Sequence, residues 1–130
     1  GLAPSIERCK RYVEAGADAL FVEAVTSLDQ YQAFSEALPG VPLLANLTEF
    51  GKTPLFSLEE LASARVDMAL YPLSAFRAMS KAADLAYETL AAEGSIIPCM
   101  DALHTREDTY AVIDYHKAEE MLDKFQATEE

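Results

Sequence analysis

Val41-Pro42-Leu43-Leu44-Ala45-Asn46-Leu47-Thr48-Glu49-Phe50-Gly51-Lys52-Thr53-Pro54-Leu55-Phe56 runs from an apolar segment into a polar loop, and that junction decides how the chain is read. Residues 41–45, bounded by glycine and proline, have the pattern of a short buried strand. The polar letters begin where the strand ends, which is where α/β folds keep their ligand-binding groups. Asn46 brings an amide donor and acceptor, Thr48 a hydroxyl and Lys52 a cation, while Gly51 lets backbone come close to a ligand. A small, oxygen-rich ligand suits that set. An ordinary strand-to-helix loop with an Asn or Thr cap accounts for the same letters.

Working outward, residues 5–15 place Ile6, Cys9, Tyr12 and Val13 on one helical face, and Gly16 stops that helix. Ala19-Leu20-Phe21-Val22 is an apolar run that ends at Glu23-Ala24. Ser27 can cap a helix through about residue 38, with Asp29 in its first turn and Pro39-Gly40 as its stop. Beyond the Asn46 loop, Ser57 followed three residues later by Glu60 is a capping-box signature for a short helix over residues 58–64. Met68-Ala69-Leu70-Tyr71, closed by Pro72, is a third apolar run. An Ala-rich helix over residues 74–92 ends at Gly94, a loop holds Pro98, and Thr105 can cap a terminal helix to about residue 125.

Apolar strands alternating with amphipathic helices imply an α/β fold with a parallel sheet covered by helices. Three strands do not close a barrel, which takes eight in the (β/α)₈ fold, and a free three-stranded sheet leaves unpaired edges. From periodicity alone, a small α/β sandwich stays open. No internal repeat, low-complexity segment or domain linker interrupts the pattern.

Composition narrows the functional classes. The 130 residues suffice for one domain, and 51% apolar content excludes a disordered chain. A net charge of −12 and a pI near 4.4 argue against nucleic acid or an anionic membrane surface as partner. An anionic ligand would need local positive charge from Lys52, Arg77 or Arg106. No run approaches the roughly 18 apolar residues of a membrane-spanning helix. Gly1-Leu2-Ala3-Pro4 does not read as a signal peptide, and a start without methionine is expected after processing or inside a longer protein. Cys9 and Cys99 have neither disulfide-framework nor metal spacing, and reduced thiols in the cytoplasm fit them best.

Few side chains stand out for chemistry. Glu23 should project from the C-terminal end of its strand, able to accept a proton, hold a metal-bound water or pair with an arginine. A rim salt bridge explains it equally well. Arg77, in the first turn of the helix after the third strand, can clamp a carboxylate through two parallel hydrogen bonds or simply meet solvent. Arg106 opens the terminal helix and is anonymous by itself. Cys9 reads as core and Cys99 as loop filler, neither with neighbours that lower a thiol pKa. His104 and His116 lack a metal spacing, and Asp101, Asp108 and Asp114 do not cluster as a magnesium site requires. Glu119-Glu120 and Glu129-Glu130 read as a solvated acidic face.

Residues 46–56, together with Tyr71-Pro72-Leu73-Ser74-Ala75-Phe76-Arg77-Ala78-Met79, resemble the C-terminal half of the 2-methylisocitrate lyases. These belong to the isocitrate lyase and phosphoenolpyruvate mutase superfamily, and the likeness runs from residue 1 to about residue 125. It implies that residues 1–103 are the last three βα units of a (β/α)₈ barrel, strands six to eight. Residues 104–130 would be a C-terminal helical extension. It implies substrate contacts from Glu23, Asn46, Leu47, Thr48, Arg77 and Arg106, with Val22 standing where the family has proline. Asn46, Thr48, Arg77 and Arg106 would hold carboxylates, and Glu23 would steady the water around a magnesium ion. The family's reactive cysteine loop, Ser-Gly-Gly loop, strand-five arginine and magnesium-binding aspartates have no counterpart here. No catalytic residue and no metal ligand are therefore expected in this chain, which would be an inactive portion.

The activity implied for a full-length enzyme is magnesium-assisted cleavage of 2-methylisocitrate to pyruvate and succinate, in the methylcitrate cycle of propionate catabolism. The implied assembly is a homotetramer exchanging C-terminal helices. The same phrases leave open an oxaloacetate hydrolase, a phosphonopyruvate-type mutase or an isocitrate lyase-like activity. A non-catalytic α/β module that binds a carboxylate or a partner helix also stays open.

Overall fold

The apolar run around Leu43 forms the middle strand of a three-stranded parallel sheet in the computed structural model, which describes residues 1–127. In chain order the elements are α1 (Leu2–Glu14), β1 (Leu20–Phe21), α2 (Leu28–Ala37), β2 (Leu43–Asn46), α3 (Leu58–Ser63), β3 (Met68–Leu70) and α4 (Ser74–Glu93). A 3₁₀ helix (Ile97–Ala102), α5 (Arg106–Val112) and α6 (Tyr115–Ala127) follow. The strands lie side by side in the order β1-β2-β3, as the alternating pattern requires. Two compact units divide the chain, Gly1–Ala78 and the part from Met79 onward.

Alternation along β2 builds the core of the first unit. Leu43 and Ala45, with Leu47 just beyond the strand, are fully buried. They share one cluster with Cys9 of α1, Tyr31 and Phe34 of α2, and Leu61 of α3. Burying one such leucine contributes about 2 kcal/mol. The opposite face follows from the register: Phe21, Leu44 and Met68 stand in one row, and Asn46 lies beside Leu70. Phe21, Met68 and Leu70 remain exposed there. Asp67 ties β3 to β2, its Oδ2 accepting from Leu43 N at 2.9 Å while its own N donates to the Leu43 carbonyl at 3.0 Å.

Helix ends follow local chemistry, with exceptions. Ser57 and Glu60 form the expected capping box, Glu60 N donating to Ser57 Oγ at 3.2 Å and Ser57 N to Glu60 Oε2 at 2.7 Å. Ser27 occupies the N-cap of α2, but its side chain makes no capping bond; Gln30 instead accepts from Thr26 N at 3.0 Å. Helix α1 begins earlier than residue 5, because Pro4 in a first turn forfeits no hydrogen bond. Ile6, Cys9 and Val13 face the core as expected, whereas Tyr12 is half exposed.

In the second unit, Gly94 takes the left-handed conformation (φ +64°) past the end of α4. The segment around Pro98 is a 3₁₀ helix rather than a plain loop, and it buries Cys99 with its Sγ 3.0 Å from Thr89 Oγ1. Thr105 caps α5 in a reciprocal box with Asp108. The expected single terminal helix is in fact two. Asp114 breaks it in the left-handed region (φ +53°), which Asp tolerates better than most residues, and Tyr110 and Tyr115 stack across the break with centroids 4.2 Å apart. Glu119 and Glu120 are exposed, and Glu129-Glu130 lies outside the described residues. Among the described residues no helix is long and apolar enough to cross a membrane.

Candidate functional site

Polar side chains of the first unit gather past the C-terminal ends of its strands. Glu23 lies two residues beyond β1, between buried Val22 and Ala24, whose left-handed φ of +56° turns the chain sharply. Asn46 Nδ2 donates to Glu23 Oε2 at 3.4 Å, and Thr48 Oγ1 donates to Asn46 Oδ1 at 3.0 Å. These three form one hydrogen-bonded row along the strand ends. A cleft of about 270 Å³ borders Glu23, lined also by Ala24, Gln30 and Phe34. Leu47 is placed differently from its neighbours: its side chain is fully buried and its N–H donates to the Leu70 carbonyl at 2.8 Å. Any contact it offers comes from backbone.

Arg77 reaches back from the first turn of α4 to the loop after β2. Its Nη1 donates to the Glu49 carbonyl at 2.6 Å and to Glu49 Oε2 at 2.8 Å. Its guanidinium lies 5.3 Å from the centre of the Phe50 ring, within cation–π range. Ser74 Oγ donates to the other carboxylate oxygen of Glu49. Ser74, then the backbone, then Arg77 hold the Glu49 carboxyl below the usual carboxylate range. The loop that carries Glu49 is strained, since Phe50 sits at φ +63°; Phe50 itself is 97% exposed.

Gly51 closes the turn that begins at Thr48. A Cβ there would stand 2.9 Å from the Thr48 carbonyl, to which Gly51 N already donates at 3.1 Å. The loop's own tight turn therefore requires a glycine here. Lys52 is exposed. Arg106 is exposed at the first position of α5 in the second unit. Among the described residues no three carboxylate, imidazole or thiol groups gather closely enough to hold a metal ion.

Sequence reasoning overlooked Glu49, Ser74 and Tyr31. Glu49 and Ser74 lie 25 residues apart, and no local pattern links them. Tyr31 passes for an ordinary core aromatic, yet among the described residues its buried hydroxyl has no hydrogen-bond partner. Burial, and then the charge of Glu23, push that hydroxyl's pKa up.

A parallel βα sheet with its polar side chains collected beyond the strand ends is the arrangement of α/β proteins that bind small ligands at that edge. A sequence model of the phosphoenolpyruvate phosphomutase family matches residues 1–91, and the chain belongs to that family. The 2-methylisocitrate lyase of Escherichia coli (strain K12) is 54% identical over 123 residues, which cover 95% of this chain and 41% of that relative. The chain thus spans about two fifths of that relative's length. A crystal structure of 2,3-dimethylmalate lyase superposes with a TM-score of 0.79 at 29% identity, covering 96% of this chain and 42% of that one. A phosphonopyruvate hydrolase complex with oxalate and Mg²⁺ superposes with a TM-score of 0.72 at 25% identity, covering 98% of this chain and 44% of that one. The resemblance to the 2-methylisocitrate lyases holds across nearly the whole chain.

Proposed function

We propose that the whole protein is a carbon–carbon lyase cleaving 2-methylisocitrate to pyruvate and succinate in propionate catabolism, and that this chain supplies part of its substrate wall. The observation that carries the reading is the 54% identity to a 2-methylisocitrate lyase over 95% of the chain. The hydrogen-bonded row Thr48–Asn46–Glu23 supports it, because it fixes the Asn46 amide, with one N–H still unspent, at the ligand-binding edge of a parallel sheet. Asn46 and Thr48 would orient substrate carboxylates, with Leu47 adding backbone. Arg77 and Arg106 would neutralise them in a chain of net charge −12.

The divalent ion found with a related phosphonopyruvate hydrolase would be held by residues outside this chain, with Glu23 acting on its water. We read the three strands as the sixth to eighth of a (β/α)₈ barrel. The exposed row of Phe21 and Met68, with Leu70 beyond it, supports this, since barrel closure would bury it. On this reading residues 1–103 are barrel and 104–130 a helical extension. Exposed Val112, Ile113, Leu122 and Phe125 favour exchange of that extension between subunits of a homotetramer. Two free cysteines agree with a cytoplasmic location.

The test is turnover by the full-length protein, offered 2-methylisocitrate, isocitrate and oxaloacetate side by side with Mg²⁺. Pyruvate release from 2-methylisocitrate at a kcat/KM well above the other two supports the reading. Preference for either competitor rejects it.

A further inference from the structure

We propose that Glu49 is the positioning residue of Arg77, holding one edge of the guanidinium so that the other is presented to a substrate carboxylate. The inference rests on the reading of Arg77 as a carboxylate contact. Nη1 donates to both the Glu49 carbonyl at 2.6 Å and Glu49 Oε2 at 2.8 Å. In a guanidinium, Nε and Nη2 together form the side-on fork that grips a carboxylate through two parallel bonds. Among the described residues that fork has no acceptor, so the pairing with Glu49 leaves a complete clamp unspent.

Three further features hold the Glu49–Arg77 pair in place. Ser74, one turn before Arg77 on α4, donates to the remaining carboxylate oxygen. The left-handed Phe50 (φ +63°) bends the loop so that the carbonyl and the carboxylate of one residue meet the same nitrogen. The Phe50 ring lies along the guanidinium at 5.3 Å, and its own exposure of 97% gives it no core to pack in. Strain of this kind persists where surrounding structure enforces it, and here it is spent around one arginine. A free arginine on a first helical turn samples many rotamers, and ordering it costs affinity when the ligand arrives. A pre-ordered one avoids that cost.

The arrangement carries an opposing effect that makes the proposal testable. Glu49 is itself an anion, so it weakens the attraction of Arg77 for a carboxylate while fixing its direction. If direction dominates, loss of the Glu49 charge weakens ligand binding; if repulsion dominates, it strengthens binding.

The experiment uses the full-length protein and two readouts, succinate binding by calorimetry and steady-state kinetics with 2-methylisocitrate. The variants are Glu49→Gln, Ser74→Ala, Arg77→Lys and the double variant Glu49→Gln/Arg77→Lys. Glu49→Gln should weaken succinate binding about tenfold, the lower range for a residue that orients a ligand-contacting group. It should raise KM more than it lowers kcat. Ser74→Ala should move both readouts in the same direction by less, and it carries the test if Glu49→Gln fails to fold. In the double variant, loss of Glu49 should add nothing to the effect of Arg77→Lys, because a residue acting through another shows no independent effect.

Additive losses, or binding that is unchanged or tighter in Glu49→Gln, overturn the proposal. So does a wild-type protein that binds no succinate. Binding that follows the predicted cycle in a protein that cleaves no 2-methylisocitrate retains the positioning role and rejects the lyase reading.

Discussion

Gly51 and Asp67 show how single residues hold the site's supporting loops. At Gly51 the nearest atom to an added Cβ is backbone oxygen, which cannot swing aside as a side chain does. Gly51→Ala in the full-length protein is therefore expected to cost about 1–3 kcal/mol through forced backbone movement, seen as a lower denaturant midpoint with unchanged slope. Equal stability would show that the Thr48–Gly51 turn is not the one described. Asp67 satisfies the buried end of β2 by accepting from Leu43 N. Asp67→Ala should cost about 1–3 kcal/mol by leaving that donor unpaired, whereas Asp67→Asn should lose much less because an acceptor remains. A comparison of the two variants by thermal melting checks the order.

At the level of elements, capping decides where helices begin, and it makes one of them sensitive to acid. Ser57→Ala removes the acceptor of Glu60 N, and a loss of about 1 kcal/mol is expected from chemical denaturation. In α5 the hydroxyl of Thr105, then its backbone N–H, hold the Asp108 carboxyl below its ordinary value. A carboxyl lowered by folding stabilises the folded form above its unfolded pKa, near 4, and loses that contribution as pH falls through the folded value. The first turn of α5 should therefore open as the solution is acidified below about pH 4, with amide exchange at Asp108 rising first. In Asp108→Asn that pH dependence should vanish. The break at Asp114 is the counterexample to reading helices by periodicity. Apolar spacing continues through it, yet one left-handed residue divides α5 from α6.

At the scale of the whole molecule, the uncovered row on the sheet and the exposed apolar residues of α5 and α6 ask for partners. The 130-residue chain alone is expected to release no pyruvate from 2-methylisocitrate with Mg²⁺ present, since no three of its described acidic, imidazole or thiol groups can hold the ion. Removing residues 104–130 from the full-length protein should lower its molar mass by light scattering and raise KM through loss of Arg106. A truncated protein that keeps both its mass and its KM would count against helix exchange and against Arg106 as a contact.

The sequence by itself determined the features that arise within a few residues. The apolar runs at Leu20, Leu43 and Met68 became parallel strands in chain order, and Ser57 with Glu60 became a capping box. Asn46 and Thr48 were legible because a change from apolar to polar letters marks a strand's C-terminal end. Those signals are local, set by side-chain period and by backbone donors within one turn. Only the tertiary structure decided that Leu47 turns inward, that Gly51 serves its own turn, and that Arg77 meets Glu49 from 28 residues away. Contacts at that separation depend on how β2, β3 and α4 pack, and one residue's shift in register would send Asn46 to the other face. Packing supplies that information, and no run of adjacent letters contains it.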